Sequence, residues 1–304
     1  MKPSFGVWIA LLVALAPAAS ARGQTLLRWK LEAGQQLAVD CRQETTTLVA
    51  FSGKSAETKI QLDLEMLWTV TGVNDDGMHV TQSIRRLQFK LDSPKAGIVN
   101  YDSADKTRPT GQAREIADAI QPLLGAEVAV TMTARGEIVS AKPANESAEK
   151  LFAAQPAGDQ PGVFSAKTIE TLFRHPLAVL PTEAVEDGGS WTSTGQLDTA
   201  AGKFDQTTTY RLAGTLEHEG QKVARIDLLA QLTPLAKTTK AAAGGPQLAL
   251  KSNEQTGHIL FSLERGRLVS AEQNQKLSTE RPYRETTISV TLTSKQTTTV
   301  RPAE

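Results

Sequence analysis

The chain has 304 residues with 33 basic and 33 acidic side chains, so no net field draws it to nucleic acid or to an anionic membrane. A single cysteine, Cys41, excludes an intramolecular disulfide, and the fold must be held by its core. Aromatic residues make up only 5%, low for a protein that would rely on stacking platforms for sugars or bases.

The first residues have the form of a secretory leader. Met1-Lys2 supplies one positive charge, Phe5 to Leu15 is an unbroken apolar or small-residue run, Pro17 ends it, and Ala19-Ser20-Ala21 is an A-x-A cleavage site. The run is shorter than the ~20 residues a spanning helix needs. Residues 1–21 are therefore expected to be a signal peptide cleaved after Ala21, leaving no stable membrane span and an exported protein, periplasmic or extracellular. No cysteine stands at the cleavage point, which argues against a lipid anchor.

Leu26, Leu27, Trp29 and Leu31, then Leu37, Val39 and Cys41, predict two strands about a turn at Gly34, the second running into the threonine-rich Glu44 to Val49. Ser52 to Glu57 reads as a polar loop. From Ile60 to Val70 apolar residues occupy every second position; Gly72 to Gly77 holds turn formers, and alternation resumes at Met78, Val80, Gln82 and Ile84. This is a hairpin. Beyond Arg85-Arg86 the apolar phase shifts to Leu87, Phe89 and Leu91, as one extra residue in a bulge would produce.

Asp92 to Gly111 is rich in turn formers and reads as a long connection. Ile116, Ala119, Ile120, Leu123 and Leu124 recur at helical spacing, interrupted by Pro122 and ended by Gly125. Val128, Val130 and Met132 return to a period of two before a turn at Arg135-Gly136 and a resumption at Ile138-Val139. The segment 143–180 is an Ala/Pro/Gly-rich linker with short helices at Glu146 to Ala154 and from Ser165 to Phe173. Strands follow at Thr207 to Leu216 and Val223 to Leu232, linked as a hairpin through Glu217 to Gly220. A loose loop at Lys237 to Pro246 comes next, and the chain is strand-like over Gly257 to Leu263, Arg267 to Lys276 and Thr286 to Val300.

The halves resemble each other in a fixed order. Trp68-x-Val70-x-Gly72 precedes Gly77-x-x-Val80, as Tyr210-x-Leu212-x-Gly214 precedes Gly220-x-x-Val223. Arg135-Gly136-Glu137-Ile138-Val139-Ser140-Ala141 matches Arg265-Gly266-Arg267-Leu268-Val269-Ser270-Ala271. Shared turn chemistry accounts for the hairpin match alone; the seven-residue block argues for duplication. The expected fold is mainly β with minor α: two tandem, similar antiparallel β-meander units at 22–142 and 181–304, with curved sheets and short helices.

Trp29-Lys30-Leu31 with Gly34, and the Leu180 to Trp191 phrase with its Gly188-Gly189-Ser190-Trp191 ending, resemble a family of secreted bacterial β-rich proteins that is a domain of unknown function. The resemblance covers nearly all of the exported chain, rests on turns and strand starts, and implies no activity. At the level of fold it also implies an analogy to periplasmic lipoprotein carriers, whose half-barrel wraps an acyl chain.

Reactive signatures fail one by one. His218-Glu219 opens an H-E-x-x-H pattern whose second histidine is Lys222. His79, His175 and His258 are isolated. Asp198-Thr199-Ala200 departs from the Asp-Thr-Gly of aspartic proteases at its third position, and the first half offers no counterpart. There is no G-x-S-x-G elbow and no phosphate-binding glycine loop. Cys41 alternates with Val39 and reads as a small core residue; Trp29, Trp68, Trp191 and Tyr210 read as core; the threonine rows at 45–47, 207–209 and 297–299 fit a solvated sheet face. Asn145-Glu146-Ser147 is a glycosylation triplet in spelling only. No catalytic, cofactor-binding or metal-ligating residue is assigned, and no cofactor. The expectation is an exported non-enzymatic binding or scaffold protein of the cell envelope, its partner an apolar ligand or another envelope protein; the alternative is an envelope hydrolase whose site folding gathers from distant residues.

Overall fold

Period-two alternation builds almost everything in the computed structural model, which describes residues 23–153, 178–199, 202–234, 249–284 and 286–303. The strands are β1 (Gln36–Phe51), β2 (Lys54–Asn74), β3 (Gly77–Ser93), β4 (Gly97–Asp102), β5 (Glu127–Met132) and β6 (Ile138–Pro143), then β7 (Ser190–Thr199), β8 (Gly202–His218), β9 (Gln221–Pro234), β10 (Ala249–Ser262), β11 (Arg267–Tyr283) and β12 (Thr286–Pro302). Among the described residues two helices, α1 (Gln112–Ile120) and α2 (Glu146–Ala153), lie between β4 and β7, and a 3-10 turn at Gln121–Leu123 extends α1. The fold is mainly β, as the alternation requires.

All twelve strands belong to one sheet in the order β6-β5-β3-β2-β1-β12-β11-β10-β9-β8-β7, with β4 paired to β3 off that path. The sheet is open, with β6 and β7 at its edges. It is also strongly rolled. Trp29 N–H donates to Ala134 O at 2.8 Å, and the adjacent Lys30 N–H donates to Gly266 O at 2.7 Å. Ala134 lies in the β5–β6 turn and Gly266 in the β10–β11 turn, six inter-strand steps apart, or roughly 29 Å on a flat sheet at ~4.8 Å per step. Two neighbouring amides reach both turns only if the sheet curls until they nearly meet.

The segment from Thr25 to Leu31 is thus a strap across the base. Thr25 pairs with Val185, Leu180 N–H donates to Arg135 O at 2.7 Å, and Trp191 Nε1 donates to Val179 O at 2.8 Å, so residues 178–185 sit between the β5–β6 turn and edge strand β7. Leu27, Trp29 and Leu31 are buried, with Trp29 edge to face against Phe261 at 5.6 Å. Here the expected strand at 26–31 is corrected. Its amides go to two different turns and to Val185, never to one neighbouring strand, although its apolar side chains do enter the core.

The β2–β3 hairpin matches the sequence reading, including the bulge: Glu65 pairs with Arg86 and Met66 with Ile84, which leaves Arg85 as the extra residue. The expected Ser52 to Glu57 loop shrinks to a turn at Ser52-Gly53, because β2 already begins at Lys54. The expected connection after Leu91 contains β4. The edge of β3 is divided, Met78 to Ser83 pairing with β5 and Gln88 to Ser93 with β4, so polar residues form a strand where an edge is vacant. β7, which the sequence reading did not assign, pairs along β8 from Ser190 to Thr199.

Asn145 caps α2: its Oδ1 accepts from Ala148 N–H at 2.9 Å, and its Nδ2 donates to Gly125 O at 2.8 Å. Ile120, Leu123, Ala148 and Leu151 carry the helical segment into the core. The leader at 1–21, the helix from Ser165 to Phe173 and the loop from Lys237 to Pro246 lie outside the described residues.

The sequence matches fall at equivalent places in the sheet. β2 pairs with β3 through a register shift at Val70/Gly72, and β8 with β9 through one at Leu212/Gly214. Near the Arg-Gly turns, β5 and β6 shift at Thr131/Met132, and β10 and β11 at Leu260/Phe261. The order β6-β5-β3-β2-β1 is followed, after β12, by β11-β10-β9-β8-β7.

Candidate functional site

The inward face of the rolled sheet is the candidate site, and its composition changes by level from base to rim. Directly paired residues of an antiparallel sheet share a face. Near the base one such row holds Cys41, Thr298, Ala271, Ile259, Ile226 and Leu212. The next runs Gln43, Gln296, Gln273, Gly257, Leu228 and Tyr210. The third runs Thr45, Ser294, Gln275, Gln255, Ala230 and Thr208. On the other side of β1, the same three levels carry Leu64, Leu62 and Ile60 from β2 and Leu87, Phe89 and Leu91 from β3. The stretch from β2 and β3 is aliphatic and aromatic, the adjoining stretch from β1 through β12 and β11 to Gln255 is neutral and polar above the base, and β9 with most of β8 is apolar again.

Side-chain amides and hydroxyls tie the polar wall together. Gln43 Nε2 donates to Ser294 Oγ at 3.3 Å, and Thr45 and Ser294 hydroxyls lie 3.1 Å apart. Gln206 Nε2 donates to Gln255 Oε1 at 3.3 Å, and Gln255 Nε2 to Gln273 Oε1 at 3.1 Å. Asn253, one level nearer the rim, donates from Nδ2 to Leu232 O at 3.0 Å, while its Oδ1 is buried with no partner. Cys41, Ile60, Leu62, Leu91 and Tyr101 are only partly buried although they face inward, so this end of the interior is not packed solid.

Charge lies on the opposite face. Asp40 pairs with Arg301 at 3.1 Å, Arg42 with Glu44 at 2.8 Å, and Glu272 with Lys295 at 3.1 Å. Arg86 grips Asp102 at 2.6 and 3.0 Å and reaches Glu65 at 3.3 Å, while Gln88 and the Ala104 amide also donate to Asp102. The Arg86 hydrogen bond holds the Asp102 carboxyl well below the usual carboxylate range and raises the Arg86 guanidinium in turn. A depression of about 240 Å³ adjoins this cluster, lined in part by Asp63, Gln88 and Asp105. The Asp102 carboxylate is pinned as an acceptor and is no proton donor near neutral pH.

The candidate reactive residues stay apart. His79 rests against Asn74 at 3.1 Å and Thr131 at 3.3 Å; His258 pairs with Glu272 across β10 and β11, on the charged face; His218 ends β8 beside the turn at Glu219. His175 and Ala200 lie outside the described residues, and Asp198 and Thr199 are described only as β7 backbone. Among the described residues no three His, Cys, Asp or Glu are grouped to hold a metal ion, and no helix is long and apolar enough to cross a membrane. Burial pushes the Cys41 thiol up, against hydrogen bonds from Thr298 and Gln296. Trp29, Trp68 and Tyr210 are core residues, with Trp191 stacked on Tyr210 at 5.5 Å.

The threonine rows need correction. Thr208 and Thr298 are buried on the inward face, while Thr46 and Thr299 occupy the other face. A signal for the polar wall was present in the letters. In β11, Gln273 and Gln275 alternate with Glu272, Asn274 and Lys276, and in β1, Gln43 and Thr45 alternate with Arg42 and Glu44. Neutral-polar against charged is also a period-two pattern, which a hydrophobicity count overlooks.

Among solved structures the chain is similar to DynF from the dynemicin biosynthesis pathway of Micromonospora chersina, at 8% identity and TM-score 0.21, covering 97% of this chain and 92% of that one. It is also similar to the COG4313 outer membrane channel of Pseudomonas putida F1, at 10% identity and TM-score 0.24 over 90% and 97% of the two chains. A putative outer membrane lipoprotein-sorting protein domain from Vibrio parahaemolyticus gives 9% identity and TM-score 0.13 over 84% and 83%. Likenesses this distant carry no argument about function. No curated protein matches the chain. Residues 75–268, well over half of the 304 and including the Leu180 to Trp191 phrase, match one family profile, and the chain accordingly belongs to DUF6263, a family of unknown function.

Proposed function

We propose that this protein is an exported, non-enzymatic binding protein of the bacterial cell envelope that holds an apolar molecule inside its rolled sheet. The observation that carries the reading is the inward face itself: Ile60, Leu62, Leu91 and Tyr101 point into the interior yet remain partly exposed, while the ion pairs stand on the other face. Apolar surface left wet in this way is stabilised by an occupant that removes it from water, at about 25 cal/mol per Å². Export rests on the leader at Met1 to Ala21. The duplication reading is supported by the order of the strands and by the paired bulges at Gly72 and Gly214.

Native mass spectrometry of the protein purified from its own host tests this. The expected result is a population heavier than the polypeptide by a few hundred daltons, removed by organic extraction. A bare polypeptide mass, with no uptake of added apolar compounds, would sink the proposal.

A further inference from the structure

We infer that the occupant is a neutral amphiphile: an apolar chain bearing an uncharged hydroxyl or amide head, of which a monoacylglycerol is the simplest example. The inference rests on the reading of the interior as a binding site and goes further by naming the chemistry of the head. The apolar side chains of β2 and β3 adjoin, on the same inward face, a stretch of β1, β12 and β11 whose polar groups are amides and hydroxyls. At the three inward levels described, the paired positions hold no Lys, Arg, His, Asp or Glu. A carboxylate or phosphate head placed there would leave water without meeting a cation, which is far costlier than moving a hydroxyl that exchanges one hydrogen bond for another.

The polar wall suits a neutral head in particular. Each glutamine amide offers two donors and an acceptor, so Gln273, Gln275 and Gln255 can meet a hydroxyl in either role. The chain of bonds from Gln206 through Gln255 to Gln273 holds two of these amides in place and joins β8, β10 and β11. Asn253 Oδ1 is a buried acceptor with no partner, and its amide nitrogen is already committed to Leu232 O. A ligand O–H or N–H would satisfy that atom, whereas an anionic oxygen would be repelled by it.

The test is displacement of the fluorescent probe N-phenyl-1-naphthylamine from the full exported chain by monolauroylglycerol and by laurate, both below micelle-forming concentrations, at about pH 8. Monolauroylglycerol is expected to displace the probe at a concentration at least about tenfold lower than laurate. Gln275→Lys, with folding confirmed by circular dichroism, is expected to raise laurate affinity about tenfold by supplying the missing cation. Should that variant not fold, Gln273→Leu is expected to weaken monolauroylglycerol about fivefold relative to the probe, and an unchanged ratio of the two affinities overturns the head chemistry. A probe that binds but yields to laurate as readily as to the glyceride overturns the head chemistry and leaves the apolar binding site standing. A protein that takes up no probe overturns both.

Discussion

Gly136 and Trp29 meet so closely that a Cβ on the glycine would stand 2.5 Å from Trp29 Nε1, and 2.2 Å from Ala178 O. The β5–β6 turn, the basal strap and the segment before β7 therefore converge on one point where only hydrogen fits. Gly136 also has φ +87°, a conformation that costs an alanine about 1–2 kcal/mol before any clash. Gly136→Ala is expected to destabilise the protein by at least ~3 kcal/mol, conformational strain and overpacking together. Gly53→Ala is the control, because Gly53 has φ +74° and open space around it, and it should cost only ~1 kcal/mol. Urea denaturation of both variants decides the matter; equal losses would mean that the strap is not pressed against the turn.

The Arg86–Asp102 pair sets an acid limb on the stability curve. Asp102 has its carboxyl pKa depressed in the folded state, chiefly by the Arg86 hydrogen bond. A depressed carboxylate contributes stability that is fully present above its unfolded pKa of about 3.9 and is lost as pH falls through the folded value. Asp102→Asn is therefore expected to lower stability near neutral pH and to flatten its fall below about pH 4. Thermal unfolding of wild type and variant across that range reads the difference; parallel curves would show that the ion pair, with Arg86 37% exposed, is screened to nothing.

The strands were legible because one face of each is apolar, and the bulge at Arg85 was legible because a single extra residue flips every later side chain across the sheet. What the letters hid depended on distance in sequence. β12 closes the chain by pairing with β1, Leu37 opposite Pro302, and nothing local in either strand announces that partner. The basal strap has the composition of a strand, and only the two turns that take its amides reveal that it is not one. The candidate site was missed for a different reason. Gln43, Gln296 and Gln273 become one wall only after three strands from opposite ends of the chain are set in register.

Cys41 reports on the interior. Its thiol is raised by burial and faces inward between Leu64 and Thr298, so the reactive thiolate is scarce near neutral pH. Alkylation by N-ethylmaleimide at about pH 7.5 is expected to run at least about tenfold slower than that of free cysteine, and to reach the free rate in denaturing urea. A native rate equal to that of free cysteine would place the thiol in open solvent and contradict the inward register of β1.

Arg28 fastens the strap from the other side. Its guanidinium donates to Leu27 O at 2.6 Å and Pro181 O at 2.7 Å, and its second terminal nitrogen reaches Thr182 O, so one planar fork spans three carbonyls. Removing it leaves carbonyls that are partly open to water, which limits the global cost of Arg28→Ala to about 1–1.5 kcal/mol. The local consequence is larger. The amides of Leu180 and Val185, bonded to Arg135 O and Thr25 O, depend on residues 178–185 staying against the strap and should exchange with solvent markedly faster in the variant. Arg28→Lys should restore little of this protection, since a single ammonium cannot copy the fork. Hydrogen exchange followed by mass spectrometry resolves these two amides from the sheet; unchanged protection in Arg28→Ala would mean that the backbone bonds of the strap and the packing of Trp29 hold residues 178–185 in place without the guanidinium.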